Sequence, residues 1–308
     1  MNKNTFVHAT VAFIAVAVAG SGQSPDHPSI MVHGKIWTPA SVFARNMGTQ
    51  EDQVTAAPPY KVIDNVYYVG TLSLGSYLVT TPQGHILIDT TFERNVRTIQ
   101  KSVEQLGFKF SDIKYIIGNH AHNDHMEGDA LAKELSGAQV WVMAEDAPAL
   151  KELKPGGKEH PIDKLLKDGD ILKLGATTLT AHLTPGHTRG CTTWTMKAKE
   201  AGKTYDVVFH CSLRVSGQNA SKPIPDFIVK EFDHTYPLVR SIPCDVPLGD
   251  HPTQYSLQDK YARITAKGPN PFIDPAGCNL ETDLEEAMFR AVLKEQAAAA
   301  TSRPKLLP

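Results

Sequence analysis

The stretch His120-Ala-His-Asn-Asp-His125 places four potential metal ligands within six positions. Neutral imidazole and carboxylate are donors that suit zinc first, with iron or manganese behind it. A tight loop can turn His120 and His122 toward one ion while Asp124 and His125 reach a second beside it. Two ions about 3.5–4 Å apart would share one bridging hydroxide. A single histidine in a surface loop usually just sits in water, but four donors at this spacing have a mechanistic reason to be there. Two more histidines follow apolar runs in sharp turns, His187 after Pro185-Gly186 and His251 before Pro252. They complete two sets of three: His120, His122 and His187 for one ion, and Asp124, His125 and His251 for the other.

Short strand-like runs separated by Gly, Pro and Asn must position these loops. Val66–Val69, Ser76–Val79 and His85–Asp89 read as stacked hairpins of an antiparallel sheet. Val96, Ile99, Val103 and Leu106 then recur at helical spacing, with Gly107 as the cap. Next come a strand at Tyr115–Gly118, the ligand loop, a helix from about Glu127 to Leu135 and a strand at Gln139–Met143. The loop thus lies at the C-terminal end of a strand, where α/β architectures place ligand sites. A second strand-rich half runs from Ile171–Leu174 through Thr178–Leu183 and Thr192–Met196 to Asp206–Phe209, and a last helix spans about Thr282 to Ala300. Two β-rich halves flanked by helices predict two packed sheets inside helical layers, in one domain.

With these pieces in place, the chain resembles the metallo-β-lactamase-fold hydrolases, and in particular subclass B3 metallo-β-lactamases. Ile88-Asp89-Thr90, the 120–125 loop, Pro185-Gly186-His187-Thr188 and Asp250-His251-Pro252 carry the likeness, which covers roughly Tyr60 to the C-terminal helix. The resemblance implies an α+β fold, a four-layer αββα sandwich, with two zinc ions per chain. It also implies a hydrolase that opens the amide of penicillins, cephalosporins or carbapenems through a zinc-bound hydroxide and so confers antibiotic resistance. Asp124 would hold one zinc and orient the nucleophile, Asp89 would brace the ligand loop, and Ser212 and Arg214 would bind the substrate carboxylate. Related thioesterases and lactonases carry a bridging Asp where this chain has His210-Cys-Ser-Leu-Arg214. A zinc lactonase or other small-ester hydrolase is therefore the enzymatic alternative, and a non-enzymatic zinc-binding protein the alternative of another class. Cys211 keeps open a thiolate-ligated site, although Ser212 aligns better with the subclass B3 serine. Met126-Glu127-Gly128 departs from the usual small residues after the loop and is expected to reshape the cleft floor.

Composition and address agree with a small-molecule enzyme. The 308 residues are 41% hydrophobic and 21% charged, with a net charge of −2, so nothing points to nucleic acid or a polybasic membrane patch. Lys3 and the apolar run Phe6–Ala19 read as a secretory signal peptide over residues 1–19, leading to the periplasm without stable membrane insertion after cleavage. Residues 20–59 form an N-terminal arm whose role is not readable, and 60–308 the catalytic domain. No heptad seam appears, so a monomer is expected. In an oxidising compartment the four cysteines allow three complete pairings. Cys244 with Cys278 is the favoured pair, since it would tie down a long C-terminal loop, worth roughly 3–4 kcal/mol, and it matches the subclass B3 bridge. Cys191 reads as a buried core residue.

Overall fold

Alternating side chains decide which faces of the strands meet. The computed structural model describes residues 27–215, 223–264 and 268–302; the expected signal peptide lies outside these. A hairpin of β1 (Ile30–Val32) and β2 (Lys35–Trp37) leads into α1 (Pro39–Met47). The first sheet holds seven strands in chain order: β3 (Tyr60–Ile63), β4 (Val66–Tyr68), β5 (Tyr77–Thr81), β6 (Gly84–Ile88), β7 (Ile113–Ile117), β8 (Gln139–Met143) and β9 (Lys164–Leu166). Neighbours are antiparallel as far as β6 and parallel beyond it. Parallel pairing requires crossovers, and these carry α2 (Val96–Gln105), α3 (Asn123–Met126), α4 (Asp129–Ser136) and α5 (Ala147–Glu152). The second sheet is β10 (Ile171–Leu174), β11 (Thr177–Leu183), β12 (Thr192–Glu200), β13 (Lys203–His210) and β14 (Val246–Gly249). Only its last pair is parallel, joined through α6 (Asp226–Ser241). The helices α7 (Leu257–Ala262) and α8 (Leu280–Ser302) follow.

Strand β6 shows how the layers are held. Ile86 and Ile88 point into the core between the sheets, against Trp194, Phe209 and Leu248, whereas Leu87 points outward to Val96, Ile99 and Val103 of α2. Period-two alternation with both faces apolar is what a strand buried on both sides requires. Beyond the second sheet, Phe232 and Tyr236 of α6 pack on Phe289 of α8, and the Tyr236 hydroxyl donates to Leu213 O at 3.0 Å. The product is the expected α+β sandwich of two sheets between helical layers.

Four features depart from the sequence reading. The helix expected from Glu127 is split into α3 and α4, because the ligand loop itself winds into a helical turn at Asn123 and Gly128 N donates to Thr91 O. The helix α6 escaped the pattern, with Pro237 in its interior. Met126 does not shape a cleft floor: it is buried in the core outside the first sheet, and a Cβ on Gly118 would collide with its sulfur. Cys191 is buried but not a free thiol, since Cys191–Cys211 and Cys244–Cys278 are both bridged. The described part of the arm is anchored at two points: β1 packs against α8, and Thr253 Oγ1 donates to Arg45 O at 2.9 Å. Among the described residues no helix is long and apolar enough to cross a membrane.

Candidate metal centre

All the expected ligands stand on loops at one rim of the sandwich. Asp89 follows β6, the 120–125 loop follows β7, His187 lies between β11 and β12, Ser212 and Arg214 follow β13, and Asp250-His251 follow β14. Extended backbone at His122 and the helical turn of α3 send consecutive donors in different directions. Around the loop the chain takes uncommon left-handed backbone at Asp89 (φ 58°) and Thr91 (φ 58°), and the Thr90 and Thr91 amides both donate to His125 O at 2.9 Å. Such backbone persists only where the surroundings over-determine it.

The side chains gather into two triads, His120/His122/His187 and Asp124/His125/His251, each with its donor atoms within 4.8 Å of one another. In the first, His187 Nε2 lies 3.1 Å from His122 Nδ1, and the His120 ring lies 4.5 Å from that of His187. In the second, Asp124 Oδ2 is 3.4 Å from His125 Nε2 and 3.8 Å from His251 Nε2. The triads adjoin, with the rings of His120 and His125 4.1 Å apart.

Fixed partners on the far nitrogens aim several rings. His187 Nδ1 donates to Arg214 O at 2.6 Å and His251 Nδ1 to Ser73 O at 3.0 Å, leaving Nε2 of each for a ligand. His120 Nδ1 faces Asp250 Oδ2 and His125 Nδ1 faces Asp89 Oδ2, both at 3.4 Å. The other Asp89 oxygen accepts from Asn119 N at 2.7 Å. Asp146 accepts from Ala121 N (2.9 Å), Thr188 Oγ1 (2.8 Å) and Gly190 N (2.7 Å), so one carboxylate ties two ligand loops together. The supporting roles of Asp146 and Asp250 were missed in the sequence: Asp146 does not stand out from other aspartates near turns, and Asp250 was read only as part of the Asp250-His251-Pro252 motif.

Electrostatics favour cations here. Burial and the neighbouring imidazoles hold His120 well below the usual histidine range and bring His187 down to about 3; burial also lowers His122 and His251. These rings are neutral, as ligands must be. Against the cost of burial, His125 holds Asp124 well below the usual carboxylate range, and Asp124 and Asp89 hold His125 well above its own. A proton on His125 occupies the nitrogen a cation would take. His120 Nε2 is buried with no hydrogen-bond partner. An orphaned imidazole nitrogen in a triad of neutral histidines, adjoining the Asp124 carboxylate of the second triad, fits a metal centre.

The centre opens into a cleft lined by His122, Asp124, His187 and His251, with Ser212 and Arg214 to one side and Phe43, Asn46 and Met47 of α1 on another. Arg214 is buried on the cleft side, its guanidinium 5.2 Å from the Phe43 ring. Ser212 donates its amide (2.8 Å) and its hydroxyl (2.7 Å) to Asp250 Oδ2, so its one O–H is spent within the protein and a ligand meets only its lone pairs. Cys211 is bridged and has no thiolate to offer. The 156–160 segment does not line the cleft: His160 is buried, with Nε2 3.2 Å from Asp129 Oδ2 and 3.1 Å from Met126 O. The wall made by α1 was missed, since a two-turn amphipathic helix in an arm does not announce what it covers.

Comparison with known proteins agrees with this fold. The Metallo-beta-lactamase superfamily model matches residues 75–199. The native FEZ-1 metallo-beta-lactamase from Legionella gormanii is 39% identical at a TM-score of 0.74, over 79% of this chain and 98% of that one. BJP-1, a subclass B3 metallo-beta-lactamase of Bradyrhizobium japonicum, is 36% identical at a TM-score of 0.74, over 81% and 98%. Among curated sequences, a hydroxyacylglutathione hydrolase of Methylobacterium nodulans is 26% identical over 36% of this chain and 39% of its own length. The chain spans less than half the length of the curated relatives it matches first.

Proposed function

This chain belongs to the metallo-β-lactamase superfamily, on the side of its subclass B3 enzymes, and from that premise we propose that it is an exported, dizinc β-lactamase of the periplasm. Its substrates are penicillins, cephalosporins and carbapenems. The observation that carries the reading is the pair of adjoining triads at the floor of a cleft that also holds a buried arginine.

His120, His122 and His187 would hold one ion, and Asp124, His125 and His251 the other. Zinc bound there supplies Lewis acidity and a water of lowered pKa near neutral pH, the chemistry that attack on a lactam carbonyl needs. Asp124 remains ionised beside His125 and His251, so its carboxylate can orient the attacking water through a hydrogen bond. Arg214 carries a permanent positive charge into the cleft, where a charge-assisted contact would seat the carboxylate of the substrate. The Asp89 and Asp250 carboxylates fix the rings of His125 and His120 so that neither must reorganise during the reaction.

Ring opening of a penicillin, a cephalosporin and a carbapenem, followed by absorbance before and after chelation with zinc add-back, tests the reading. Turnover that chelation removes and zinc restores is expected. A folded, zinc-replete protein without turnover would falsify it. The hydroxyacylglutathione hydrolase likeness supports ester hydrolysis as a second reading, which a thioester and a lactone in the same panel would reveal.

A further inference from the structure

The inner face of α8 carries two buried carboxyls one helical turn apart, Glu281 and Glu285, within hydrogen-bond reach of each other. Two arginines meet them. Arg45 of α1 grips both oxygens of Glu281, at 2.5 and 2.6 Å, which makes Glu281 the ionised member of the pair. Arg214, after β13, shares a small gap with Glu285, bordered by Pro39, Val42 and Met288, and it also lines the cleft beside Phe43. With Glu281 spent on Arg45, Glu285 is the carboxyl that borders the same gap as Arg214, and its Oε1 is buried with no hydrogen-bond partner. Two cations and two carboxyls balance only when both acids are ionised. With a proton held between the acids, one positive charge is left over, and it belongs to the arginine of the cleft.

We propose that Glu285 is a charge gate behind the site for the substrate carboxylate: protonated and joined to Glu281, it leaves the Arg214 charge to the cleft, and ionised it draws on that charge and weakens the hold on an anionic substrate. It acts through Arg214 and touches no substrate. The proposal rests on the β-lactamase reading and adds a regulation of that same site. The charged and titratable groups about Glu285 are Glu281 on its own helix, Arg214, Arg45 and the Tyr236 phenol of α6. Burial and Glu281 push the Glu285 carboxyl up to about 8 against the pull of the two arginines, so the gate stands open near neutral pH and closes in mild alkali.

The test compares a penicillin with its methyl ester, which keeps the lactam and loses the anion, on the zinc-loaded wild type and Glu285→Gln at pH values from about 6.5 to 9.5. In the wild type the preference of KM for acid over ester should fall about tenfold across that range, the order of one charge-assisted contact. Glu285→Gln keeps the shape and the neutral state, so its preference should match that of the wild type at low pH and stay there. Titrations at the metal centre persist in the variant, so the difference between the two profiles reads Glu285. A flat wild-type profile, or a fall that the variant reproduces, overturns the gate. Absence of lactam opening by the wild type is a failure of the functional reading alone, and the gate is then decided without substrate. The Glu285 carboxyl, followed by carbon-13 NMR in the zinc-loaded proteins, should titrate at higher pH in Arg214→Gln than in the wild type, because the cation that favours its ionised form is gone. An unchanged midpoint overturns the proposal.

Discussion

At the residue scale the centre depends on carboxylates that need never touch a metal. Asp250 accepts from the Ser212 amide and hydroxyl and faces His120 Nδ1, so one buried group sets a ligand ring and the strand end beside it. Asp250→Asn keeps the shape but removes the charge that the histidines stabilise. Zinc affinity, read by competition with a chelator, should fall about 10–100-fold. The residues of the two triads were legible as candidate ligands because His-x-His-x-Asp-His and histidines beside Pro and Gly are rare without a purpose. Their supports were not, since what distinguishes Asp250 or Asp146 is which amides the fold brings to it.

At the scale of elements, Asp146 joins the loop after β7 to the loop before β12, and its three donors are buried or partly so. Asp146→Ala strands those donors and should lower unfolding free energy by about 2–4 kcal/mol in urea titration, with weaker zinc binding because His122 and His187 lose a common brace. The inner face of α8 gives a different dependence. Glu285 lies among Glu281 of its own helix, Arg214 after β13, Arg45 of α1 and the Tyr236 phenol of α6. Its carboxyl is raised from 4.5 to about 8 in the folded chain. Between those two values the unfolded chain holds fewer protons at this group than the native one, so its contribution to stability falls as pH rises. Urea midpoints at pH 5 and pH 8 should therefore diverge less for Glu285→Gln than for the wild type, and the variant should gain relative stability at the higher pH. Elements with clean periodicity, such as α2 and the strands of the second sheet as far as β13, were readable. The helix α6 hides behind Pro237, where local preference contradicts what tertiary packing imposes.

For the molecule as a whole, two bridges close segments separated by 20 and 34 residues. One joins the start of β12 to the end of β13 beneath His120; the other ties the approach to β14 to the start of α8. Each constrains the unfolded chain by an amount worth about 3–4 kcal/mol in the entropy model. The Cys244→Ser/Cys278→Ser double variant should lose about that much in denaturant titration while keeping zinc. The Cys191–Cys211 bridge could not be read from sequence, because pairing among four cysteines depends on which strand ends the sheet brings together. The fold class and layer order were readable from alternating strands and the family likeness, but the arm over the cleft was not. That arm bears on inhibitor design. A chelating compound engages only histidines and an aspartate, whereas one that also fills the corner of Phe43, Asn46 and Met47 grips a nine-residue helix that lies outside the 75–199 segment matched by the superfamily model. Selectivity against other hydrolases of the superfamily should therefore be sought at α1.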